Sequence, residues 1–290
     1  MKKYYLLLII FFTLTSMTSD KPAYRLFDKT GKITSYDNLL KDALNADIVL
    51  FGELHNNPIC HWLEKELAED IFKSKAKQLV IGAEMFETDN QLIIDEFLSD
   101  KIKESNFEAE AKLWNNYKTD YKPLLNFAKK NKIPFIATNI PRRYASMVNR
   151  GGFEVLDSLN ADAKRLLPPL PVKYDPELQC YKQMISNMGN SPMGGHSNSN
   201  LPKAQAVKDA TMAYNIIKNW NKGKIFIHYH GTYHSDNYES IYWYLKQLNP
   251  NIKILTISSI EQNSIDILEK ESINKADYIL CVPESMTKTY

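Results

Sequence analysis

The residues of this sequence that are best suited to chemistry cluster in one short stretch, VLFGELHNNPICHW, residues 49–62. An apolar run that reads as a buried strand ends at Phe51, and Glu53 and His55 follow almost at once. His61 comes later, on what reads as a helix. Carboxylates and imidazoles ligate divalent metals and transfer protons near neutral pH. The end of this strand is therefore a candidate site.

Side chains of similar chemistry follow three further predicted strands. They are Glu84 and Glu87 after the second strand, Asn139, Pro141, Arg142 and Arg143 after the third, and His230 and His234 after the fourth. In open α/β sheets, ligands bind beyond the carboxyl ends of the strands. Because parallel strands end at one edge of the sheet, we expect these groups to contribute to a single cleft.

Two kinds of chemistry fit such a cleft. Carboxylates and imidazoles together hold a divalent metal, which can acidify a bound water for hydrolysis. Alternatively, a histidine or tyrosine ligates haem iron while arginines pair with the propionate carboxylates. The residue types alone leave both alternatives open.

The segment after the third strand, NIPRRY, combines basic and aromatic residues. Pro141 suits the first turn of a helix, which places Arg142 and Arg143 close to the strand end. Arginines near the anion-favouring start of a helix can hold a carboxylate or phosphate, although neighbours on a helix point about 100° apart and do not easily face one ligand. Tyr144 follows directly, and either packs in the core or ligates haem iron.

Apolar, β-rich runs alternate with helical patterns along most of the chain. The predicted strands are Ile48 to Phe51, Gln78 to Ala83, Ile133 to Thr138, Lys224 to His228, Ile252 to Ser258 and Tyr278 to Val282. The predicted helices are Trp62 to Lys73, Asn90 to Leu98, Lys122 to Asn131, Ala204 to Trp220 and Tyr238 to Leu248. Continuous apolar strands are typical of a parallel sheet covered on both faces. We therefore predict an α/β fold with a mostly parallel central sheet flanked by helices.

Residues 141–202 break this alternation. They contain a proline-rich segment, Pro168 to Pro171, and a run rich in glycine, serine and asparagine, Gly189 to Asn200, which is equally consistent with a disordered loop. Short helical patterns between them predict a helical insertion that forms a smaller lobe over the sheet, where a ligand cleft is usually made. On the helix that follows, we interpret Asp209 as one half of a salt bridge to an arginine.

The N-terminus has the pattern of a signal peptide. Two lysines precede an apolar run, Tyr4 to Leu14, and small polar residues follow as far as Ser19. We predict a signal peptide over residues 1–19 and a mature domain over residues 20–290, with an uncleaved anchor as the alternative. The mature protein is then expected to be exported and to lie in the periplasm or at the cell envelope.

Charge and cysteine content exclude several functions. The net charge of +2, from 36 basic and 34 acidic residues, gives no reason to expect nucleic acid as a partner. Three widely spaced cysteines, Cys60, Cys180 and Cys281, contain no CxxC motif, which excludes zinc-ribbon and thioredoxin-like sites. We expect buried free thiols, although one disulfide is an alternative. No cysteine begins the predicted mature chain, so a lipoprotein anchor is not expected.

Five short motifs in this order resemble the ChaN-type haem-binding proteins, which belong to the Tiki superfamily together with TraB and erythromycin esterase-like proteins. The motifs are GELHNNPICH at 52–61, GAEMFE at 82–87, NIPRRY at 139–144, AQAVKDATMA at 204–213 and GTYH at 231–234. The resemblance covers about residues 46–258. It implies an α/β core with a smaller helical lobe and a role in haem binding and iron uptake at the cell envelope, with a homodimer and an envelope uptake component as partners.

The resemblance also implies roles for individual residues. It makes Tyr144 the haem-iron ligand, with His230 and His234 as candidates for a second contact and Arg142 and Arg143 for the propionates. The absence of a lipobox cysteine departs from the lipoprotein members of the family.

The wider superfamily implies an alternative, a hydrolase that uses a GExH motif and a divalent metal such as zinc or manganese. Its metal ligands in this chain would be Glu53, His55, Glu84 and His234, with Glu53 or Glu84 as the general base. A third alternative is a member that only binds a protein partner. Whether the chain is an enzyme or a binding protein is left open by the sequence.

Overall fold

The computed structural model describes residues 21–75, 78–189 and 200–290 of the chain. Its strands are β1 (Arg25–Asp28), β2 (Ile33–Thr34), β3 (Ile48–Glu53), β4 (Leu79–Glu87), β5 (Phe135–Asn139), β6 (Ile225–Gly231), β7 (Ile254–Gln262) and β8 (Tyr278–Pro283). They form one sheet in the order β2-β1-β8-β7-β3-β6-β4-β5. The six strands from β8 to β5 are parallel, whereas β1 is antiparallel to both of its neighbours. The predicted α/β fold with a mostly parallel sheet is confirmed.

Helices connect the parallel strands. The α-helices are α1 (Tyr36–Ala43), α2 (Pro58–Lys75), α3 (Gln91–Leu98), α4 (Glu104–Glu110), α5 (Lys122–Asn131), α6 (Arg142–Gly151), α7 (Ala161–Lys164), α8 (Gln179–Gly189), α9 (Leu201–Asn219) and α10 (Ile241–Leu248). A π-helical turn spans Tyr117–Tyr121, and 3-10 turns span Thr88–Asn90, Phe153–Ser158, Thr232–His234, Asp236–Tyr238 and Lys270–Ser272. None of the helices in the described residues is long and apolar enough to cross a membrane.

The sheet is buried on both faces because successive residues of each strand point to opposite sides. On β3, Val49 and Phe51 join a core with helices α2, α3, α4 and α5. Ile48 and Leu50 join a second core with α6, α9 and α10. We call these the α2 face and the α9 face. The continuous apolar runs of the sequence follow from this double covering.

The six strands predicted from the sequence all occur in the sheet, whereas the short edge strands β1 and β2 were not predicted. Strand β4 extends further than predicted, through Glu84 to Glu87. Its pairing with β5 shifts register between Ala83 and Glu87. Such a bulge changes the direction of the side chains at the strand end, and Glu84 lies within it.

The segment between β5 and β6 supplies the smaller helical lobe, which contains α6, α7, α8 and the start of α9. Pro141 is the residue before α6, which begins at Arg142. The predicted signal peptide and most of the run from Gly189 to Asn200 lie outside the described residues. All three cysteines are buried free thiols, as predicted.

Candidate functional site

The carboxyl ends of β3, β6 and β4 form the candidate site. From β3 the chain passes through α2 to β4, whereas from β6 it passes through α10 to β7, on the other side of β3 in the sheet. Connections that leave adjacent strands in opposite directions open a crevice between them, where α/β proteins bind ligands. The side chains that the sequence marked lie around this crevice, in two separate groups.

The first group lies on the α9 face around Glu84. Its Oε2 accepts a hydrogen bond from the backbone N–H of Gly231 at 2.9 Å, and its Oε1 lies 3.1 Å from Nε2 of His234. The Nδ1–H of His234 donates to Oδ1 of Asp209 at 2.5 Å, and the hydroxyl of Tyr181 donates to Oδ2 of Asp209 at 2.9 Å. All four side chains are buried. We call Glu84, His234, Asp209 and Tyr181 the His234 group.

Charge pairing sets the protonation of the His234 group. Burial alone would lower the pKa of His234, but the carboxylates of Glu84 and Asp209 raise it to about 10. Burial alone would raise the pKa of Glu84, yet His234 and the hydrogen bond from Gly231 hold it well below its usual range. Near neutral pH, His234 is therefore an imidazolium between two carboxyl groups. The predicted salt bridge from Asp209 to an arginine is wrong, because histidine is its cationic partner.

The second group lies on the α2 face around Glu53. The Nδ1–H of His55 donates to Oε1 of Glu53 at 2.7 Å, and the hydroxyl of Tyr121 donates to the same oxygen. The carboxylate is nearly inaccessible, while the imidazole of His55 is 38% exposed. Burial would raise the pKa of Glu53, but the charge of His61 and the hydrogen bond from His55 lower it to about 2. Glu53 therefore holds His55 at the wall of the crevice.

His61 lies beneath His55 and faces neither the crevice nor solvent. Its Nδ1 is 3.1 Å from Oε2 of Glu64 and 3.8 Å from Oε2 of Glu53. Its Nε2–H donates to the backbone carbonyl of His55 at 3.0 Å and lies 3.6 Å from Oδ2 of Asp120. We call Glu53, His61 and Glu64 the His61 cluster. Burial would lower the pKa of His61, but Glu53 and Glu64 raise it to about 10.

Gly231 is the point at which the two groups meet. A Cβ placed on this residue would lie 2.7 Å from Nε2 of His55 and 3.7 Å from Oε2 of Glu84. The missing side chain therefore lets the His55 ring reach across the end of β6 toward Glu84. Gly52 lies within β3, where a Cβ would be 3.0 Å from the carbonyl oxygen of Ile257 and 3.0 Å from Cα of Thr232.

Glu53, His55, Glu84 and His234, the ligands of the predicted metal site, surround the crevice but do not converge on one point. Glu53 belongs to the α2 face, while Glu84 and His234 are paired with each other on the α9 face. Within the described part of the chain, the His61 cluster is the group in which three such side chains each bring one ligand atom within 4.8 Å of the other two. The metal site predicted at these four residues stays a prediction.

His230 lies behind the crevice, with no exposed surface. The Nε2–H of His228 donates to the hydroxyl of Thr138 at 2.7 Å, because that hydroxyl donates its own proton to the carbonyl of Ala83. Nδ1 of His228 then accepts from Nδ1–H of His230 at 3.0 Å. Burial, followed by the charge of His234, lowers the pKa of His230 to about 3. His230 is therefore neutral, and its role as a haem contact stays a prediction.

The residues predicted for haem and its propionates lie on the opposite wall of the crevice. Arg143 pairs with Asp89 at 2.5 Å, and its guanidinium lies 4.4 Å from the centre of the Tyr144 ring. The hydroxyl of Tyr144 accepts from Nη2 of Arg143 at 3.3 Å, and its ring is buried in the α9-face core. Arg142 is exposed and makes no ion pair with any described residue. Only one of the two arginines is thus held by a carboxylate.

The crevice opens into a cleft of about 800 Å³ between these walls. Four of its lining side chains are cationic: Lys112, Arg142, Arg143 and Lys208. The apolar part of the lining comes from Met85, Leu113, Trp114 and Ile140. The ring of Trp114 also meets the His55 imidazole edge to face, with centroids 4.8 Å apart. The lining of the cleft therefore combines apolar side chains with four cations, of which Lys112 is paired with Glu87 and Asp89.

Sequence reasoning missed several residues of the site. Glu64, Asp120, Tyr121 and Tyr181 carry no strand-end signal, and no argument from one chain links them to their partners. One local signal was present, because His61 and Glu64 are three residues apart on a predicted helix and must share a face.

Fold and site together define the class. The chain is an α/β protein with a polar crevice at a topological switch point, flanked by an apolar and cationic cleft. Residues 39–245 match the family model for haem-binding uptake proteins of the Tiki superfamily, ChaN. The chain belongs to this ChaN family.

Comparison with known structures supports the same fold. The ChaN of Campylobacter jejuni, described as showing cofacial heme binding, is 18% identical with a TM-score of 0.67, covering 89% of this chain and 96% of that one. A Bacillus cereus protein is 11% identical with a TM-score of 0.51, covering 90% and 95%. A mutant of the erythromycin esterase EreC, in its open conformation, is 10% identical with a TM-score of 0.50, covering 92% and 98%. No protein of curated function matches the sequence.

Proposed function

We propose that this protein binds haem in the cleft beside the strand ends and serves haem or iron uptake. The observation that carries the proposal is the lining of the cleft, which contains both apolar side chains and four cations. Haem has the matching chemistry, since an apolar macrocycle carries two propionate carboxylates. Membership of the ChaN family, matched over residues 39–245, supports the same ligand.

Arg142 and Lys208 are the cations best placed to bind propionates. Both line the cleft, and neither forms an ion pair within the described residues. Arg143 is already paired with Asp89 and is less available. Arginine offers planar, two-pronged hydrogen bonding to a carboxylate, whereas lysine acts as a point charge. Met85, Trp114 and Ile140 would cover part of the porphyrin face.

Tyr144 is our proposed iron ligand. Its hydroxyl lies directly under Arg143, whose side chain is 47% exposed and can swing into solvent. Arg143 lines the cleft whereas Tyr144 lies behind it, so movement of the Arg143 side chain is needed to bring the phenol oxygen into the cleft. When bound, haem supplies its iron and its propionates, and the protein supplies the ligand atom and the cations. His230 and His234 are less accessible, because both are buried behind Glu84.

Titration of the purified full-length chain with haemin tests this assignment. We expect a Soret band with a high-spin, tyrosinate-type spectrum that is lost in Tyr144→Phe, because phenylalanine keeps the packing and removes the ligand. Tyr214→Phe, on α9 away from the cleft, is the matched control and should leave the spectrum unchanged. Arg142→Ala should weaken haem affinity by about two- to fivefold, as for an exposed ion pair. Arg150→Ala, near the other end of α6, should have no effect.

The possible results distinguish a wrong assignment of the iron ligand from a wrong proposal of haem binding. If the spectrum survives in Tyr144→Phe and is lost in His55→Ala, haem binding stands and the iron ligand is His55. If the wild-type chain gives no Soret band, the proposed function is wrong.

We further propose that the protein acts after export and as a homodimer. Export is supported by the sequence pattern of residues 1–19. The Campylobacter jejuni relative is described as showing cofacial heme binding, an arrangement that brings two haems face to face. In a cell fractionation, the mature chain should lack about the first 19 residues and appear in the envelope or periplasmic fraction. Light scattering should show its mass doubling when haemin is added; a monomer in both states would contradict the dimer.

A hydrolase is the second candidate function. The observation that favours it is the exposed imidazole of His55, held by the buried carboxylate of Glu53 at 2.7 Å. An imidazole positioned by a carboxylate is the arrangement of a general base. Ester hydrolysis that disappears in His55→Ala, in a chain that gives no Soret band with haemin, would favour this candidate over haem binding.

A further inference from the structure

The His61 cluster contains more hydrogen-bond acceptors than donors. Oε2 of Glu53, Oε2 of Glu64 and Nδ1 of His61 face one another, and no other described side chain donates into the space between them. The three side chains are only 1–3% exposed, so water does not compensate them freely. Oε2 of Glu53 and Oε1 of Glu64 are buried without any hydrogen-bond partner in the described chain. The proton on Nδ1 of His61 serves only Oε2 of Glu64, and a divalent cation in its place would also pair with the two unpartnered oxygens.

The other ring nitrogen of His61 is already committed. Its Nε2–H donates to the carbonyl oxygen of His55 at 3.0 Å, and the side-chain amide of Asn116 donates to the same carbonyl at 2.7 Å. This backbone hydrogen bond fixes the ring and leaves Nδ1 as the atom that faces the carboxylates. Histidine ligands in metal sites are held in the same way, with the second nitrogen bonded to a carbonyl or carboxylate.

We propose that Glu53, His61 and Glu64 bind a divalent metal ion in the interior of the protein, distinct from the haem cleft. Zinc–nitrogen and zinc–oxygen bonds of about 2.0–2.2 Å place two ligand atoms on one zinc roughly 3.3 Å apart. The distances from Nδ1 of His61 are 3.1 Å to Glu64 and 3.8 Å to Glu53, on either side of that value. Small shifts of these side chains would centre an ion among them.

The ligand set of one imidazole and two carboxylates favours some metal ions over others. The set suits zinc, manganese or ferrous iron, and it lacks the thiolates that favour copper(I) or iron–sulfur clusters. Three protein ligands leave at least one position for water. The ligands come from the end of β3 and the first turns of α2, so the ion would cross-link the strand to the helix that follows it.

The ion would also act on the crevice through Glu53. One oxygen of this carboxylate holds His55 and Tyr121, and the other faces the proposed ion. Glu53 therefore bridges the interior site and the exposed imidazole. Occupation of the site would fix the carboxylate and hence the position of His55. The proposal does not depend on haem binding, because none of the three ligands lines the haem cleft.

Zinc binding to the full-length chain, without haem, tests the proposal. After treatment with EDTA and desalting, the protein is titrated with ZnCl₂ by calorimetry and its metal content is measured. We expect one zinc per chain and a rise in melting temperature. Glu64→Gln should lower zinc affinity by about 100-fold or more, since even loss of an outer-shell partner costs 10–100-fold. The Soret band with haemin should be unchanged in this variant.

Glu69→Gln is the matched control. It makes the same change on the same helix, at a residue paired with Lys65 outside the cluster. It should bind zinc as the wild type does.

X-ray absorption spectroscopy of the zinc-loaded wild type tests the proposal without any substitution, so misfolding of a variant cannot affect the result. The expected shell contains one nitrogen and two or more oxygens at about 2.0–2.2 Å. A shell with sulfur or with several histidines would overturn the proposal, because it would place the ion elsewhere. So would zinc affinity unchanged in a folded Glu64→Gln, or a wild-type chain that binds no zinc.

Discussion

Replacement of His234 by alanine is expected to lower the free energy of unfolding by about 3–5 kcal/mol at pH 7. The imidazolium of His234 lies between Glu84 at 3.1 Å and Asp209 at 2.5 Å, and all three side chains are buried. Its removal leaves two buried carboxyl groups without their cation. Urea denaturation at pH 7 measures the effect directly.

The contribution of His234 should also depend on pH. Its pKa is raised from 6.5 to about 10 in the folded protein, so its stabilisation is complete below pH 6.5 and is lost as the pH rises through about 10. In the metal-free chain His61, with a pKa also raised to about 10, acts in the same direction. We expect wild-type stability to fall between about pH 7 and 9, and the slope of that fall to be smaller in His234→Ala.

His55→Ala is the control for this prediction. It also removes a histidine from a buried carboxylate, but Glu53 keeps the hydrogen bond from Tyr121 and the charge of His61. The decrease in the free energy of unfolding should therefore be clearly smaller in His55→Ala than in His234→Ala. Equal losses in the two variants, or a loss below about 1 kcal/mol in His234→Ala, would contradict the charge pairing described for this group.

Gly82→Ala is expected to destabilise the protein by about 1–3 kcal/mol, although alanine is the smallest possible addition. A Cβ on Gly82 would lie 2.8 Å from two ring carbons of Phe226 and 3.1 Å from Cγ2 of Thr138. Phe226 has no exposed surface, so its ring must push into a filled core. Chemical denaturation measures the loss.

A double-mutant cycle identifies the cause. Phe226→Leu removes the two ring carbons that a Cβ on Gly82 would meet, so Gly82→Ala should cost much less in that background. Additive losses would show that Gly82 is required for its backbone conformation and not for the space beside Phe226.

The fold could be predicted from the sequence because the parallel strands are long apolar runs. Strands such as β3 and β6 carry their own signal, since both faces of each are covered. Strands β1 and β2 do not, because RLFD and IT are short edge segments whose partners lie far away in the sequence. The end of β4 was predicted too early, since the charged Glu84 interrupts the apolar pattern although the strand continues.

The sequence predicted where the site lies, but it did not predict which face of the sheet each side chain points to. The strand-end rule placed Glu53 and Glu84 at one edge of the sheet, and both lie there. It could not show that they point to opposite faces, because that depends on the register between β3, β6 and β4. Gly52 pairs with His230, and Ala83 with Tyr229. A shift of one residue would have placed both carboxylates on one face.

The edge made by β1 and β8 sets the order in which this domain can fold. Residues 25–28 pair with residues 278–281, and β7 inserts directly beside β3. The family match ends at residue 245, yet the last two parallel strands lie beyond it and one of them borders the site. The sheet is therefore complete only after β8 has been synthesised. Because these pairs join residues far apart in the sequence, the domain is expected to fold slowly, and slow folding is compatible with the proposed export.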